Sequence, residues 1–232
     1  MNIVITGASR GIGKAIAEAF AAEGHDLFLC ARNIEVLENT ANELRENFTS
    51  CTVQAMQADL SDKTNTYAFA DWCLSNDVPD VVINNAGVYT PGTILNEEPG
   101  ILENMISNNL YSAYHLTARL LPAMIKKGTG HIFNICSVAS LQAYEGGGSY
   151  SISKFAMYGF NQNLRHELKD KGIKVTGVFP GAVFTDSWGN FDNSNGRIAV
   201  AADIAVMILA CTKQSIQAVT EEIIIRPQKG DL

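Results

Sequence analysis

Apolar residues along this chain fall into two alternating rhythms. Short runs of strand length cover Asn2–Thr6, Asp26–Ala31, Thr52–Gln57, Val81–Asn84, His131–Cys136, Lys174–Phe179 and Glu221–Ile225. Between them lie longer stretches at helical spacing, near Ile12–Glu23, Ile34–Asn47, Lys63–Ser75, Gly100–Lys126, Ser151–Lys171 and Ala202–Thr212. The second of these places Leu37, Ala41 and Leu44 on one face. Val81-Val-Ile83 and Ile223-Ile-Ile225 are apolar without interruption, the pattern of strands buried on both faces of a parallel sheet. Strand–helix alternation from end to end predicts a Rossmann-type, doubly wound α/β fold. Its seven-stranded, mostly parallel sheet would carry helices on both faces. Pro122 is expected to kink or shorten the fourth helix. No linker or repeat interrupts residues 1–232, which are expected to form one domain. The least regular stretch, near 185–200, has Gly189, Gly196 and several asparagines and reads as a mobile loop.

Composition narrows the function. A hydrophobic content of 47% with 18% charged residues is that of an ordinary globular protein. A net charge of −7 without a basic stripe argues against a nucleic-acid partner. No run of apolar residues is long enough to span a bilayer, and Asp203 interrupts the most hydrophobic late segment. Met1 leads directly into a strand with no signal-peptide pattern, so a cytoplasmic location is expected. The five cysteines are scattered without a Cys-x-x-Cys pair, and the four histidines lack ligand spacing. Reduced thiols and no metal are the expectation.

The first strand runs into Thr6-Gly7-Ala8-Ser9-Arg10-Gly11-Ile12-Gly13, which opens the first helix. Glycines in a strand–turn–helix allow close backbone approach, and the helix N-terminus offers N–H groups to a pyrophosphate. The spacing is Gly-x-x-x-Gly-x-Gly rather than Gly-x-Gly-x-x-Gly. A carboxylate ending the second strand would bind a ribose 2′-hydroxyl and repel a 2′-phosphate. This strand ends Cys30-Ala31-Arg32 instead, so Arg32 and Arg10 could clamp a 2′-phosphate, which predicts NADPH over NADH. Asp59 follows the third strand, and Asn84-Asn85-Ala86-Gly87 ends the fourth.

Tyr150-Ser-Ile-Ser-Lys154 places a phenol and an ammonium one helical turn apart. A free phenol, with a pKa of about 10, holds its proton too tightly for exchange near neutral pH, and a nearby cation favours its phenolate. With seven tyrosines, such a pair arises by composition in roughly one chain in three. Its weight comes from its neighbours: Ser137 stands 13 residues before Tyr150, and Asn108-Asn109-Leu110 lies upstream.

Together these residues resemble the short-chain dehydrogenase/reductase family in its single-domain branch, over essentially the whole chain. The carriers are Thr6–Gly13, Asp59, Asn84–Gly87, Asn109, Ser137, Tyr150, Lys154 and Pro180-Gly181. The resemblance implies a catalytic set of Asn109, Ser137, Tyr150 and Lys154. Tyr150 would protonate a substrate carbonyl, Ser137 would hydrogen-bond the same oxygen, and Lys154 would hold the nicotinamide ribose. Asn109, preferred to Asn108, would hold a relay water. Cofactor contacts would come from Gly7, Ser9, Arg10, Gly11, Ile12 and Gly13 in the first turn, and from Ala31, Arg32 and Asn33 after the second strand. Further contacts would come from Asp59 and Leu60, from Asn85, Ala86 and Gly87, from Tyr150 and Lys154, and from Pro180, Gly181, Val183 and Thr185.

Substrate contacts would be Ser137, Tyr150 and Trp188, with Trp188 and Phe191 either lining the pocket or packing the loop. Short stretches at Pro180–Trp188 and at the C-terminus are similar to bacterial sepiapterin-reductase-like members. A pterin side-chain ketone is thus one candidate for the small-molecule carbonyl substrate, with Asp186 or Asp231 as an anchor. A 3-ketoacyl-thioester reductase is the alternative, although Lys126-Lys127 and Lys169/Lys171 lie far in sequence from the loop. A non-enzymatic NADPH sensor is the third reading, opposed by the intact catalytic set. The family commonly assembles as homodimers or homotetramers, and Phe155, Met157, Tyr158 and Phe160 give the Ser151–Lys171 helix extra apolar surface. Cys136 reads as a buried strand residue, not a nucleophile.

Overall fold

A computed structural model describes residues 1–189 and 191–231. Position 190, within the expected substrate loop, and Leu232, at the end of the C-terminal resemblance, lie outside the described residues. The chain alternates β1 (Asn2–Thr6), α1 (Gly11–Ala22), β2 (Asp26–Ala31), α2 (Ile34–Asn47), β3 (Val53–Gln57), α3 (Lys63–Asn76) and β4 (Val81–Asn84). There follow α4 (Ile101–Ile106), α5 (Ser112–Lys127), β5 (Gly130–Ile135), α6 (Gly148–Leu168) and β6 (Ile173–Pro180). Short strands β7 (Val183–Phe184) and β8 (Ala199–Val200) precede α7 (Ala201–Thr212) and β9 (Glu222–Ile225).

Seven strands form one sheet in the order β3-β2-β1-β4-β5-β6-β9. Every pairing in it is parallel, so the sheet is wholly rather than mostly parallel. The order reverses between β1 and β4, where the carboxyl ends of the two strands open a crevice that suits a ligand. β7 and β8, which no sequence pattern announced, pair in a separate two-stranded ribbon.

Alternating strand residues feed two apolar layers. Ile3, Ile5, Leu27 and Leu29 pack with Ile16 and Phe20 of α1, Leu37 and Leu44 of α2, and Ile204 and Ile208 of α7. Val4, Phe28, Val82 and Ile132 point the other way, onto Phe69 of α3, Leu116 and Leu120 of α5 and Leu164 of α6. Each such buried side chain is worth about 1.5–3 kcal/mol over an exposed one. β9 departs from the expected two-sided burial: Ile223 is buried, but Ile224 is 52% exposed because this strand forms the sheet edge.

The expected break in the long fourth helix also moves. α5 runs through Pro122, and the irregularity lies earlier, in a π-helical turn at Ser107–Tyr111 that joins α4 to α5. Such wide turns re-aim side chains and are frequent at functional sites.

Candidate active site

The carboxyl ends of the strands border a cleft of about 1010 Å³ that runs from Arg32 to Tyr150. At one end the β1–α1 turn is shaped by glycine: Gly7 and Gly11 adopt φ of 62° and 57°, a region that disfavours other residues. Arg10 occupies the N-cap of α1 without a side-chain capping bond, so the first-turn N–H groups at Gly11 and Ile12 are left for a ligand. Thr40 of α2 donates its hydroxyl hydrogen bond to the Ser9 carbonyl at 2.9 Å and steadies the turn from behind.

Of the expected cofactor residues, Gly7, Ser9, Arg10, Gly11 and Ile12 line the cleft, as do Ala31, Arg32 and Asn33. Asp59, Leu60, Asn85, Ala86 and Gly87 form its floor, and Pro180, Gly181, Val183 and Thr185 its far wall. Gly13 does not line it. A Cβ at that position would sit 2.3 Å from the Gly7 carbonyl oxygen, so this glycine serves packing beneath the turn. The adjacent asparagines also have internal work. Asn85 donates to the Thr6 and Gly7 carbonyls at 2.8 and 3.1 Å, tying β1 to β4. Asn84 starts a buried amide chain through Asn134 to Asn161. Asn33 caps α2 by accepting the Val36 N–H, and Asp59 accepts both the N–H and the hydroxyl of Ser61.

At the other end, Ser137, Tyr150 and Lys154 face the same space. Ser137 follows β5 and its hydroxyl oxygen accepts the Ala139 N–H, while a long 3.5 Å contact joins it to the Pro180 carbonyl. Tyr150 lies in the first turn of α6 and Lys154 one turn on, with the ammonium 5.8 Å from the phenol ring centre. Lys154 is buried and donates to the Ile135 carbonyl at 2.8 Å. An ammonium has three donors, so one carbonyl leaves capacity for hydroxyls in the cleft.

Asn109 sits beneath the cleft rather than in its wall. In the π-helical turn its amide oxygen accepts the Val88 N–H at 2.7 Å, and its amide nitrogen donates to the Val88 carbonyl and the Ser153 hydroxyl. Its side chain is therefore committed to the backbone after Gly87. Asn108 lines the cleft instead, bonded to Asn104.

Two aromatic residues that carried no signal in the sequence join the site. The Tyr89 ring meets Tyr150 edge-on at 4.9 Å, and Tyr144 is hydrogen-bonded to Tyr89. Burial and that bond push the Tyr144 phenol above its ordinary pKa, so it stays protonated. Trp188 both lines the cleft and packs the loop. Its indole N–H donates to the Val183 carbonyl at 2.8 Å, and its ring lies 5.1 Å from Phe191. Asp186 and Asp231 line the cleft too, but each faces an arginine: Arg10 at 3.8 Å and Arg226 at 3.0 Å. Cys136 is buried and its thiol is pushed up to about 12, chiefly by burial, which rules it out as a ready nucleophile.

The profile of the family described as short chain dehydrogenase matches residues 1–196. The chain belongs to the short-chain dehydrogenase family. A sepiapterin reductase from Chlorobaculum tepidum is 32% identical, covering 99% of this chain and 97% of its own. Among solved structures, an alcohol dehydrogenase from the archaeon Thermococcus sibiricus, complexed with 5-hydroxy-NADP, superposes with a TM-score of 0.92. It is 27% identical, with 100% and 98% of the two chains covered. A metagenomic short-chain oxidoreductase in complex with NADP gives 0.85 at 31% identity, over 98% and 97%.

In this short-chain dehydrogenase the two ends of the cleft have complementary chemistry. Free N–H groups and arginines at the glycine turn suit anionic phosphates. A phenol, a serine hydroxyl and a buried ammonium at the other end suit an oxygen that gains negative charge and a proton. Among the described residues no three His, Cys, Asp or Glu side chains cluster to hold a metal, and no helix is long and apolar enough to cross a membrane.

Proposed function

We propose that this chain is an NADPH-dependent reductase of a small-molecule ketone, with Tyr150 as proton donor. The observation that carries the reading is the convergence of Tyr150, Ser137 and Lys154 on one end of a cleft whose other end is an uncapped helix N-terminus. Bound along the cleft, the dinucleotide supplies the hydride. The Tyr150 hydroxyl gives its proton to the carbonyl oxygen, and Ser137 turns from its long Pro180 contact to bond the same atom. Lys154 holds ribose hydroxyls and keeps a positive charge beside the phenol. Asn109 acts from below by fixing Val88.

NADPH rather than NADH follows from the end of β2, where Arg10, Arg32 and Asn33 border the cleft and no carboxylate ends the strand. The relatives solved with 5-hydroxy-NADP and NADP support this choice. For the substrate, Tyr89, Tyr144 and Trp188 offer aromatic faces to a flat conjugated ring, which favours the side-chain ketone of a pterin. The similarity to the sepiapterin reductase points the same way. A 3-ketoacyl thioester on an acidic carrier fits less well. Lys127 pairs with Asp80, which precedes β4 at the amino end of the strands, opposite the cleft, and Arg226 is paired with Asp231.

The working unit is proposed to be a cytoplasmic homodimer or homotetramer. Of the four apolar residues expected on the face of α6, Met157 is buried and Tyr158 and Phe160 pack inward, which leaves Phe155 exposed beside Ile152. Tyr111 and Tyr114 are exposed on the preceding helical run, and the Tyr114 ring lies 5.5 Å from Phe160 of α6. The function is tested by following NADPH oxidation over pterins, vicinal diketones, acetoacetyl thioesters and aldehydes. Turnover of sepiapterin and diketones ahead of thioesters is expected, and a clear preference for acetoacetyl thioesters would reverse the substrate assignment.

A further inference from the structure

The helix that carries Tyr150 begins in sequence with little conformational preference of its own. Gly146-Gly147-Gly148 lead directly into Ser149 and Tyr150, and Gly146 and Gly148 have φ of 73° and 32°. A glycine run costs the most entropy to order, and Gly147 at the N-cap has no side chain with which to close the helix end. Tyr150 is only the third residue of α6. Something outside the helix must hold its start.

That group comes from 52 residues earlier in the chain. Glu97, in the connection between β4 and α4, accepts the Ser149 N–H on Oε1 at 2.8 Å and the Ser149 hydroxyl on Oε2. Beside it, the Gly92 N–H donates to the Gly146 carbonyl at 3.0 Å. The fit depends on two missing side chains. A Cβ on Gly148 would lie 2.1 Å from Glu97 Oε1, and one on Gly92 would lie 2.8 Å from Glu97 Cγ. The same connection carries Val88, anchored by Asn109, and Tyr89, in edge contact with Tyr150.

We propose that Glu97 is a positioning residue for Tyr150: from the β4–α4 connection it clamps the glycine-rich start of α6 and so fixes where the phenol points. The proposal rests on the reading of Tyr150 as proton donor. A carboxylate at a helix N-terminus is favoured by the helix dipole, and both of its bonds here are charge-assisted. Without it the triple glycine lets the first turn fray, and a misplacement of about 1 Å at a reacting group can cost on the order of 100-fold in rate.

The test compares the full chain with Glu97→Ala, Glu97→Gln and Tyr150→Phe. It follows NADPH oxidation with sepiapterin and with diacetyl, NADPH binding by fluorescence, and amide hydrogen exchange at Ser149–Ser151. Glu97→Ala should lower kcat by about 10- to 100-fold and speed exchange in that turn, while the Kd for NADPH stays within about twofold. Glu97→Gln keeps an acceptor for the Ser149 N–H and a polar partner for its hydroxyl, and should recover most of the rate. Unchanged exchange in Glu97→Ala, or a kcat equal to that of the parent, overturns the clamp. So does a joint loss of kcat, NADPH binding and thermal stability that glutamine fails to rescue. Should Glu97→Ala not fold, Ser149→Ala removes one of the two bonds and must still lower kcat and speed exchange. If Tyr150→Phe keeps full turnover, the proton-donor reading fails by itself, while the exchange data still decide whether Glu97 clamps the helix.

Discussion

Arg10, in the glycine turn, and Asp186, just past β7, face each other 3.8 Å apart across the rim of the cleft. Both are well exposed, so the pair contributes little to stability. Its interest lies in competition: the same guanidinium is one of the two, with Arg32, proposed to hold a 2′-phosphate. Replacing Asp186 with asparagine should therefore tighten NADPH binding by about two- to fivefold, the range set by an exposed pair, and leave NADH binding unchanged. Fluorescence titration with the two cofactors reads the difference. Equal shifts for both would show that Asp186 acts on the loop and not on the phosphate site.

Arg32 stands at the end of β2, exposed and facing the cleft, with its carbonyl held by Gln57. Arg32→Ala should raise the KM for NADPH by about tenfold or more, as expected for loss of a charge-assisted hydrogen bond worth about 1.5–3 kcal/mol, with little effect on NADH. Steady-state kinetics with each cofactor would detect it. A chain that prefers NADH and ignores this substitution would contradict the cofactor assignment.

Gly13 gives a sharper structural prediction. A methyl group there would stand 2.3 Å from the Gly7 carbonyl oxygen and 2.6 Å from the Asn85 amide nitrogen. Both are fixed groups of the β1–β4 junction, so Gly13→Ala must displace the turn. Loss of NADPH binding together with a destabilisation of about 1–3 kcal/mol is expected from overpacking at this point, measured by titration and denaturant unfolding. Normal binding in this variant would mean that the turn is more pliant than its hydrogen bonds imply.

His131 is buried in β5, and its ring Nε2 lies 2.8 Å from the Thr176 hydroxyl oxygen. That hydroxyl gives its own proton to the Thr220 carbonyl, so Nε2 is the donor of the pair. Burial, with Lys174 adding to it, pushes the His131 pKa down to about 3. The unfolded chain takes up this proton near pH 6.5 and the folded one does not. Stability is therefore full above about pH 6.5 and falls as the pH drops toward 3, by ~1.4 kcal/mol per unit, or ~2 kcal/mol at pH 5. His131→Gln can keep the donor to Thr176 without titrating. Its melting temperature should fall less between pH 7 and 5 than that of the parent, and parallel curves would remove His131 as the cause.

Much of this was legible along the chain, for identifiable reasons. Val81-Val-Ile83 announced a central parallel strand because burial on both faces leaves no polar alternation. Ile223-Ile-Ile225 gave the same signal although Ile224 is half exposed, since an edge strand awaiting cover looks the same in one dimension. Tyr150 and Lys154 stood out because one helical turn brings them to one face, and Ser137 because its distance from Tyr150 resembles that of the family. Tyr89 and Tyr144 were not, because an aromatic wall assembles from separate connections and leaves no local spacing. The π-helical turn at Ser107–Tyr111 was hidden for another reason: the same residues suit either hydrogen-bond register, and the tertiary bonds of Asn109 favour the wider one. Glu97 was silent too, since its partner Ser149 lies 52 residues on and the fit needs the space left by Gly92 and Gly148.

In the proposed reaction the Tyr150 hydroxyl donates the proton at the reacting carbonyl. Tyr150→Phe keeps the ring, its edge contact with Tyr89 and the first turn of α6, and removes only that hydroxyl. NADPH should still bind with its fluorescence response intact, while kcat for ketone reduction falls by about 100- to 10,000-fold, the range for loss of a general acid. Turnover within about tenfold of the parent, with binding unchanged, would contradict the account.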